Sequence, residues 1–353
     1  NKALEQSDNP AEVMITIAFE YEKLGEYDRA IEQLKKALEY DPEDEEVINE
    51  LAFCYEITDR MEESASFFQT YTDAHPYSPF GWFNLGIVYN QLGLYEKSIE
   101  AYDFAIAIDD RFASAYFNKA NAYANAGHYK KAIEVYTETF VYEDPEAITH
   151  YYIGECYEKL SDFTHAATHY ETAVRMDDSL ADAWYGLALS YHEMEQHNTA
   201  LVHIEKAIRT DSSNPEYHYL LGDIRYSLGQ HEKALEAYQT VAVQDPENGE
   251  IWLDIAQLQE ELGDTDSAVA SLEKGSTSVP RNFGIWFAYA EALAKTGRVQ
   301  DACYALSNAA AIEPDALKNV IESSSVLLRI PEIQTLLHSL LDTNSGESGY
   351  FHN

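Results

Sequence analysis

The amino-acid sequence predicts an all-α solenoid of nine tandem 34-residue helix pairs, closed by a C-terminal capping helix pair. The four Trp share one phase: Trp82 to Trp184 and Trp184 to Trp286 are each three periods of 34, and Trp252 stands one period before Trp286. Two columns of small residues recur at the same period. Within each period the apolar spacing is helical and is broken once by a turn. Self-similarity at a fixed period of this length is the mark of a stacked-repeat architecture.

Frames of 11–44, 45–78, 79–112, 113–146, 147–180, 181–214, 215–248, 249–282 and 283–316 align these landmarks without a gap. Four positions after the Trp slot stand Ala18, Ala52, Gly86, Ala120, Gly154, Ala188, Gly222, Ala256 and Ala290. Twelve residues further on come Ala30, Ser64, Ser98, Ala132, Ala166, Ala200, Ala234, Ala268 and Ala302. Small residues let two helix backbones approach, while larger ones fill the space around them. Tyr21, Tyr55, Tyr89, Tyr123, Tyr157 and Tyr191 form a further column. The apolar spacing of 82–90 and of 98–106 predicts two helices per frame, parted by turns such as Leu92-Gly93-Leu94-Tyr95 and Leu228-Gly229-Gln230-His231. The Asp-Pro pairs at 41–42, 144–145 and 245–246 are expected to open the next helix, because Pro is tolerated in a first turn.

This pattern resembles the tetratricopeptide-repeat family, whose W-L-G-Y-A-F/Y-A-P signature stands here as Trp82, Leu85, Gly86, Tyr89, Ser98, Tyr102 and Ala105, with Asp110 in place of the Pro. The resemblance covers 11–316 and implies a right-handed α-α superhelix. Arg225 and Gln259 depart from the first-helix Tyr column, and Tyr71, Thr139, Val241 and Gly275 from the second-helix Ala column. These departures bear on local packing.

At the ends, Lys2-Ala3-Leu4-Glu5 echoes Lys36-Ala37-Leu38-Glu39 one period earlier. Residues 1–10 therefore read as the second helix of a preceding repeat, in a chain expected to continue upstream. Residues 317–342 read as a degenerate capping pair broken at Pro331, with Ile333, Leu336, Leu337, Leu340 and Leu341 on one stripe. The Gly/Ser/Asn-rich stretch 343–353 is expected to be disordered.

Bulk composition narrows the function. A net charge of −39, from 23 Lys plus Arg against 62 Asp plus Glu, excludes phosphate-backbone recognition and an anionic membrane surface. It favours basic partners as well as solubility. Three scattered Cys (Cys54, Cys156, Cys303) match neither a disulfide framework nor zinc spacing, which places the chain in a reducing, cytoplasmic compartment. No phosphate loop, nucleophile elbow or zinc-protease motif is present, so no enzyme activity, cofactor or metal is expected. His165, His169 and His203 fall on neighbouring second helices but read as surface histidines, since the repeat register brings them no orienting carboxylate.

The resemblance implies that first helices line a concave groove where polypeptides bind. The residue after the Trp slot gives an aromatic column there: Phe83, Phe117, Tyr151, Tyr185 and Tyr219, then Leu253 and Phe287. The third and fourth repeats add Asn84, Asn90, Asn118, Asn121 and Asn125, amides suited to the backbone of an extended peptide. The fifth to eighth are acidic, with Glu155, Glu158, Asp182, Glu193, Glu216, Asp223, Asp254 and Glu260 beside Gln257, opposed by Lys159. The inward Lys and Arg of the carboxylate-clamp subfamily are missing, which argues against acidic chaperone tails as ligands. The expected function is a non-catalytic scaffold or adaptor for basic or aromatic-containing polypeptide segments. Two alternatives are the recognition arm of an enzyme whose catalytic domain lies elsewhere, and a spacer that self-associates through its N-terminal end.

Overall fold

The computed structural model of the chain describes residues 10–322 and 324–343. The expectations for 1–9, for the Leu341 side chain and for the tail from 344 lie outside the described residues. The described residues are helical, with no strand. The first helices are α1 (Pro10–Lys23), α3 (Glu45–Ile57), α5 (Pro79–Gln91), α7 (Ala113–Asn125), α9 (Ala147–Lys159), α11 (Ala181–Glu193), α13 (Pro215–Ser227), α15 (Gly249–Glu261) and α17 (Phe283–Lys295). Each is followed by its second helix: α2 (Tyr27–Leu38), α4 (Met61–Ala74), α6 (Tyr95–Ile108), α8 (Tyr129–Thr139), α10 (Phe163–Met176), α12 (His197–Thr210), α14 (His231–Gln244), α16 (Thr265–Ser278) and α18 (Val299–Ile312).

The chain divides into two compact units, residues 1–177 and 178–353. In each, a first helix packs on its own second helix, and that second helix packs on the next first helix. The second unit ends with α19 (Pro314–Ile321), a 3-10 turn (Leu327–Arg329) and α20 (Pro331–Thr343), the last lying against α18. Ile333 and Leu337 of α20 are buried with Leu306, Leu317 and Ile321, and Leu336 and Leu340 are half-buried.

The turn inside each pair has one backbone solution. Gly25, Gly93, Gly127, Gly229, Gly263 and Gly297 are left-handed at φ of 70–82°, and Asp59, Ser161 and Glu195 hold the same place at 54–59°. The residue after each donates its N–H to the carbonyl at the Tyr-column position, as Leu94 does to Tyr89 at 2.8 Å and Gln230 to Arg225 at 2.8 Å. That bond satisfies a carbonyl the ending helix would leave orphaned. The column thus has a backbone role that survives the loss of Tyr at Arg225 and Gln259.

The small-residue columns reflect what lies opposite. A Cβ on Gly86, Gly154 or Gly222 would stand 2.6, 2.8 and 2.3 Å from the rings of Tyr102, Tyr170 and Tyr238. All three rings are buried. The departures from the repeat pattern are compensated in the same way. Tyr71, in a small-residue slot, lies on Gly81, whose Cβ would be 2.6 Å from its ring, while Gly275 opens the space in which Trp252 is buried.

The Trp column fastens turns. The indole N–H groups of Trp82, Trp184, Trp252 and Trp286 donate to the carbonyls of Pro76, Asp178, Pro246 and Pro280, six residues back, at 2.9–3.0 Å. In two of the five slots without Trp, the Tyr116 hydroxyl meets Asp110 O at 3.4 Å and His218 Nε2 lies 3.4 Å from Ser212 O. The Asp-Pro expectation is corrected here. Pro42, Pro145 and Pro246 lie two or three residues before α3, α9 and α15, in the linking turn. Pro42 and Pro246 serve there as acceptors, for the Tyr71 hydroxyl and the Trp252 indole. By contrast Pro79 and Pro215 do begin helices.

Candidate functional site

Successive first helices run side by side within each unit: α3 touches α5 and α5 touches α7, while α11 touches α13 and α15 touches α17. Seven polar side-chain pairs between them stand 35 residues apart, not 34. Asn84 Nδ2 donates to Asn49 Oδ1 at 2.8 Å, Gln91 to Glu56 at 2.9 Å and Asn125 to Asn90 at 3.1 Å. Tyr217 donates to Asp182, Tyr219 to Asp254 at 2.7 Å, Tyr226 to Glu261 at 3.0 Å and Lys295 to Glu260 at 2.6 Å. Parallel neighbours slip by one residue, so columns read at the bare repeat period miss the partner.

This slip changes the roles of the amide zone. Asn84 is 3% exposed, and its Nδ2 also donates to the Phe80 carbonyl at 2.9 Å, which corrects the expectation of a groove-facing amide. Asn121 accepts the hydroxyl of the buried Tyr136. Asn118 donates to Ser114 O at 2.9 Å from a half-buried position. Asn90 and Asn125 pair with each other, Asn125 being exposed.

The aromatic column is half-buried throughout, and its rings cover the core as well as facing outward. Phe83, Phe117, Tyr151 and Tyr219 lie 5.6–5.9 Å from the rings of Tyr102, Tyr136, Tyr170 and Tyr238. Tyr185 stacks on Tyr217 at 5.3 Å. These positions belong to the packing as much as to any groove.

Five of the acidic residues are acceptors for tyrosine. In the first unit Tyr151 donates to Glu155 and Tyr170 to Glu158, both at 2.9 Å. In the second, Tyr238 donates to Asp223 at 2.6 Å, alongside the Tyr217–Asp182 and Tyr219–Asp254 bonds. Burial lifts the Asp223 carboxyl above the ordinary carboxylate range, against the hydroxyl bond that lowers it. The second unit also holds a cavity of about 490 Å³, lined by Tyr185, Leu189, Pro215, Glu216, Tyr219, Leu220, Asp223, Val241, Asp245, Asn248 and Glu250. No Lys or Arg is among the lining residues.

Of the histidines singled out in the sequence, His165 and His169 belong to the first unit and His203 to the second. His165 Nδ1 lies 2.8 Å from the carboxylate of Asp162, a partner that the register did not bring to it but the N-cap does. His169 Nδ1 lies 3.1 Å from Nδ1 of His150, and burial with that neighbour lowers its pKa to about 4. His203 stacks on Trp184 and Tyr191.

A cluster absent from the sequence reading stands between α1 and α3. One ligand atom each from Glu22, Glu50 and Cys54 falls within 4.8 Å of the others, the thiol donating to Glu22 at 3.4 Å. Burial first, and Glu22 second, lift Glu50 from its ordinary 4.5 to about 7, and the same two causes push the Cys54 thiol up. The folded state therefore holds a Glu50 proton that the unfolded chain releases between about pH 4.5 and 7. Its contribution is complete below that window and is lost as the pH rises through it. Glu50→Gln is expected to stabilise the first unit by on the order of 1 kcal/mol at pH 8, after discount for solvent screening, and to change little at pH 4.5. Urea midpoints at the two pH values check this; an equal shift at both would refute the proton held on Glu50 in the folded state.

Models of the tetratricopeptide repeat match residues 22–79, 79–112, 117–181, 222–263 and 253–316. A model described as anaphase-promoting complex, cyclosome, subunit 3 matches 163–241. A search of curated proteins finds no significant match. Among solved structures, the C-terminal part of a TPR repeat-containing protein from Cytophaga hutchinsonii aligns at TM-score 0.57 and 19% identity, over 66% of this chain and 96% of that one. The anaphase-promoting complex hetero-tetramer Cut9-Hcn1 aligns at 0.52 and 16%, over 82% of this chain and 56% of that one. A tetratricopeptide repeat protein from Parabacteroides merdae aligns at 0.51 and 15%, over 71% and 98%. At these identities the likeness is one of fold.

Proposed function

The chain belongs to the tetratricopeptide-repeat family, and from that premise we propose that it is a non-catalytic scaffold that binds basic polypeptide segments along its first-helix faces. The observation that carries this reading is the cavity of the second unit, whose charged lining residues are all acidic and stand beside two tyrosine rings. One sign of charge on a low-dielectric concave wall focuses potential and draws ligands of the other sign. The matches to an anaphase-promoting complex subunit and to Cut9-Hcn1, both parts of an assembly, support a role in holding polypeptides. No helix among the described residues is long and apolar enough to cross a membrane.

In the first unit the amides suited to a ligand are narrowed to Asn118 and the Asn90–Asn125 pair, because Asn84 is buried and Asn121 is held by the Tyr136 hydroxyl. Asn118→Ala with Asn125→Ala is expected to weaken capture of a partner recovered from source cells several-fold, at about 0.5–1.5 kcal/mol per lost hydrogen bond. Binding isotherms check it, with circular dichroism as the folding control. Affinity should also fall between about 50 and 500 mM salt as screening shortens. A partner that binds the double variant unchanged at both salt levels would remove the first-helix faces from the interface.

A further inference from the structure

The cavity of the second unit is lined by residues of α11, α13, α14 and α15, with Tyr185 from α11 and Tyr219 from α13. Its four acidic lining residues are Glu216, Asp223, Asp245 and Glu250. They come from α13, the turn after α14 and the first turn of α15, so three separate chain segments place negative charge on one hollow. The two rings are held in place by neighbours. Tyr185 stacks on Tyr217, and Tyr219 packs on Tyr238 with its hydroxyl fixed on Asp254. Asp223 is anchored by the Tyr238 hydroxyl at 2.6 Å. The positions of ring and carboxylate are thus set before any ligand arrives, which spares a ligand the ordering cost.

We propose that this cavity takes the guanidinium of an arginine side chain presented by a partner polypeptide. A planar guanidinium can lie on a tyrosine face while its N–H groups fork onto a carboxylate, a combination that an ammonium meets less well. A half-buried carboxylate with a hydroxyl as its partner remains under-compensated, and an arriving cation relieves it. The volume of about 490 Å³ leaves room for a long side chain and part of the backbone that carries it. The proposal rests on the scaffold reading and deepens it, by naming which side chain one hollow selects.

The test uses the full chain and three capped pentapeptides, Gly-Gly-X-Gly-Gly, with X as arginine, lysine or citrulline. Citrulline keeps the shape of arginine and removes the charge. With tyrosine rings carbon-13 labelled, the arginine peptide is expected to shift the Tyr185 and Tyr219 signals saturably. Lysine should bind more weakly, and citrulline at least about tenfold more weakly than arginine. Asp223→Asn with Glu250→Gln should abolish the shifts, since Asn keeps an acceptor for Tyr238 and a thermal melt reports on the fold. Equal binding of arginine and citrulline would overturn the proposal. So would the absence of saturation up to about 10 mM, or shifts confined to tyrosines outside the cavity. If those results came while partner capture still depended on Asn118 and Asn125, the scaffold reading would stand and the arginine pocket alone would fall.

Discussion

Gly222→Leu is expected to destabilise the protein by ~1–3 kcal/mol at least, the typical cost of forcing volume into a packed core. Here the collision begins at the first added atom, because a Cβ would stand 2.3 Å from Cε1 of Tyr238. The ring has little freedom to move, being buried and tied through its hydroxyl to Asp223. In a stacked array the damage stays with the neighbours of the altered pair. Hydrogen exchange should therefore loosen α13 to α15 and leave α1 to α5 unchanged; uniform loosening would contradict the architecture. The same steric rule predicts a rescue. Gly86→Ala puts a Cβ 2.6 Å from Tyr102, and Tyr102→Leu should recover part of the loss, since Ala256 and Ala290 already stand at the same slot with Leu272 and Leu306 one helix on. A double-mutant cycle without coupling would sink the pairing.

Trp252→Ala should cost ~3–5 kcal/mol, the range for deleting a large buried ring. Trp252 is 9% exposed, whereas Trp82, Trp184 and Trp286 are half-buried, so its loss should be the largest in the column. The burial depends on Gly275, whose missing side chain leaves the space that the indole fills. Trp252→Phe separates the two roles. It keeps most of the apolar volume but loses the donor to Pro246 O, and about 0.5–1.5 kcal/mol of the total should go with that hydrogen bond. Denaturant midpoints of the two variants check the division; a Phe variant as damaged as the Ala variant would mean that the turn bond, not the buried ring, dominates.

Both predictions turn on pairs that the linear pattern shows only half of. The columns of Gly and Ala were visible as small residues, but not why Gly falls at 86, 154 and 222: a Cβ there would stand within 2.8 Å of Tyr102, Tyr170 and Tyr238. Residue type alone does not reveal that closeness, since Ala120 has Tyr136 at the same spacing of sixteen residues. Tyr71 and Gly275 looked like faults in the repeat, and each is matched by a partner, Gly81 and Trp252, in the adjoining helix. The acidic run read as a lure for basic ligands, yet Glu155, Glu158, Asp182, Asp223 and Asp254 first of all receive tyrosine hydroxyls. A chain with 27 Tyr and 62 acids has a structural use for both.

Helix pairing and the position of every intra-pair turn are local matters, governed by apolar spacing and by residues that accept a left-handed backbone, and a sequence displays them directly. The phase of 34 residues was therefore open to reading from four Trp and two small columns. Side-chain partnership between pairs is not local. It depends on how one first helix slides against the next, and that slip of one residue arises from packing alone. It sent Asn84 to Asn49, joined Asn125 to Asn90 and set Tyr219 on Asp254. It also made an enclosed packing residue of an amide that the repeat period had placed on an open face.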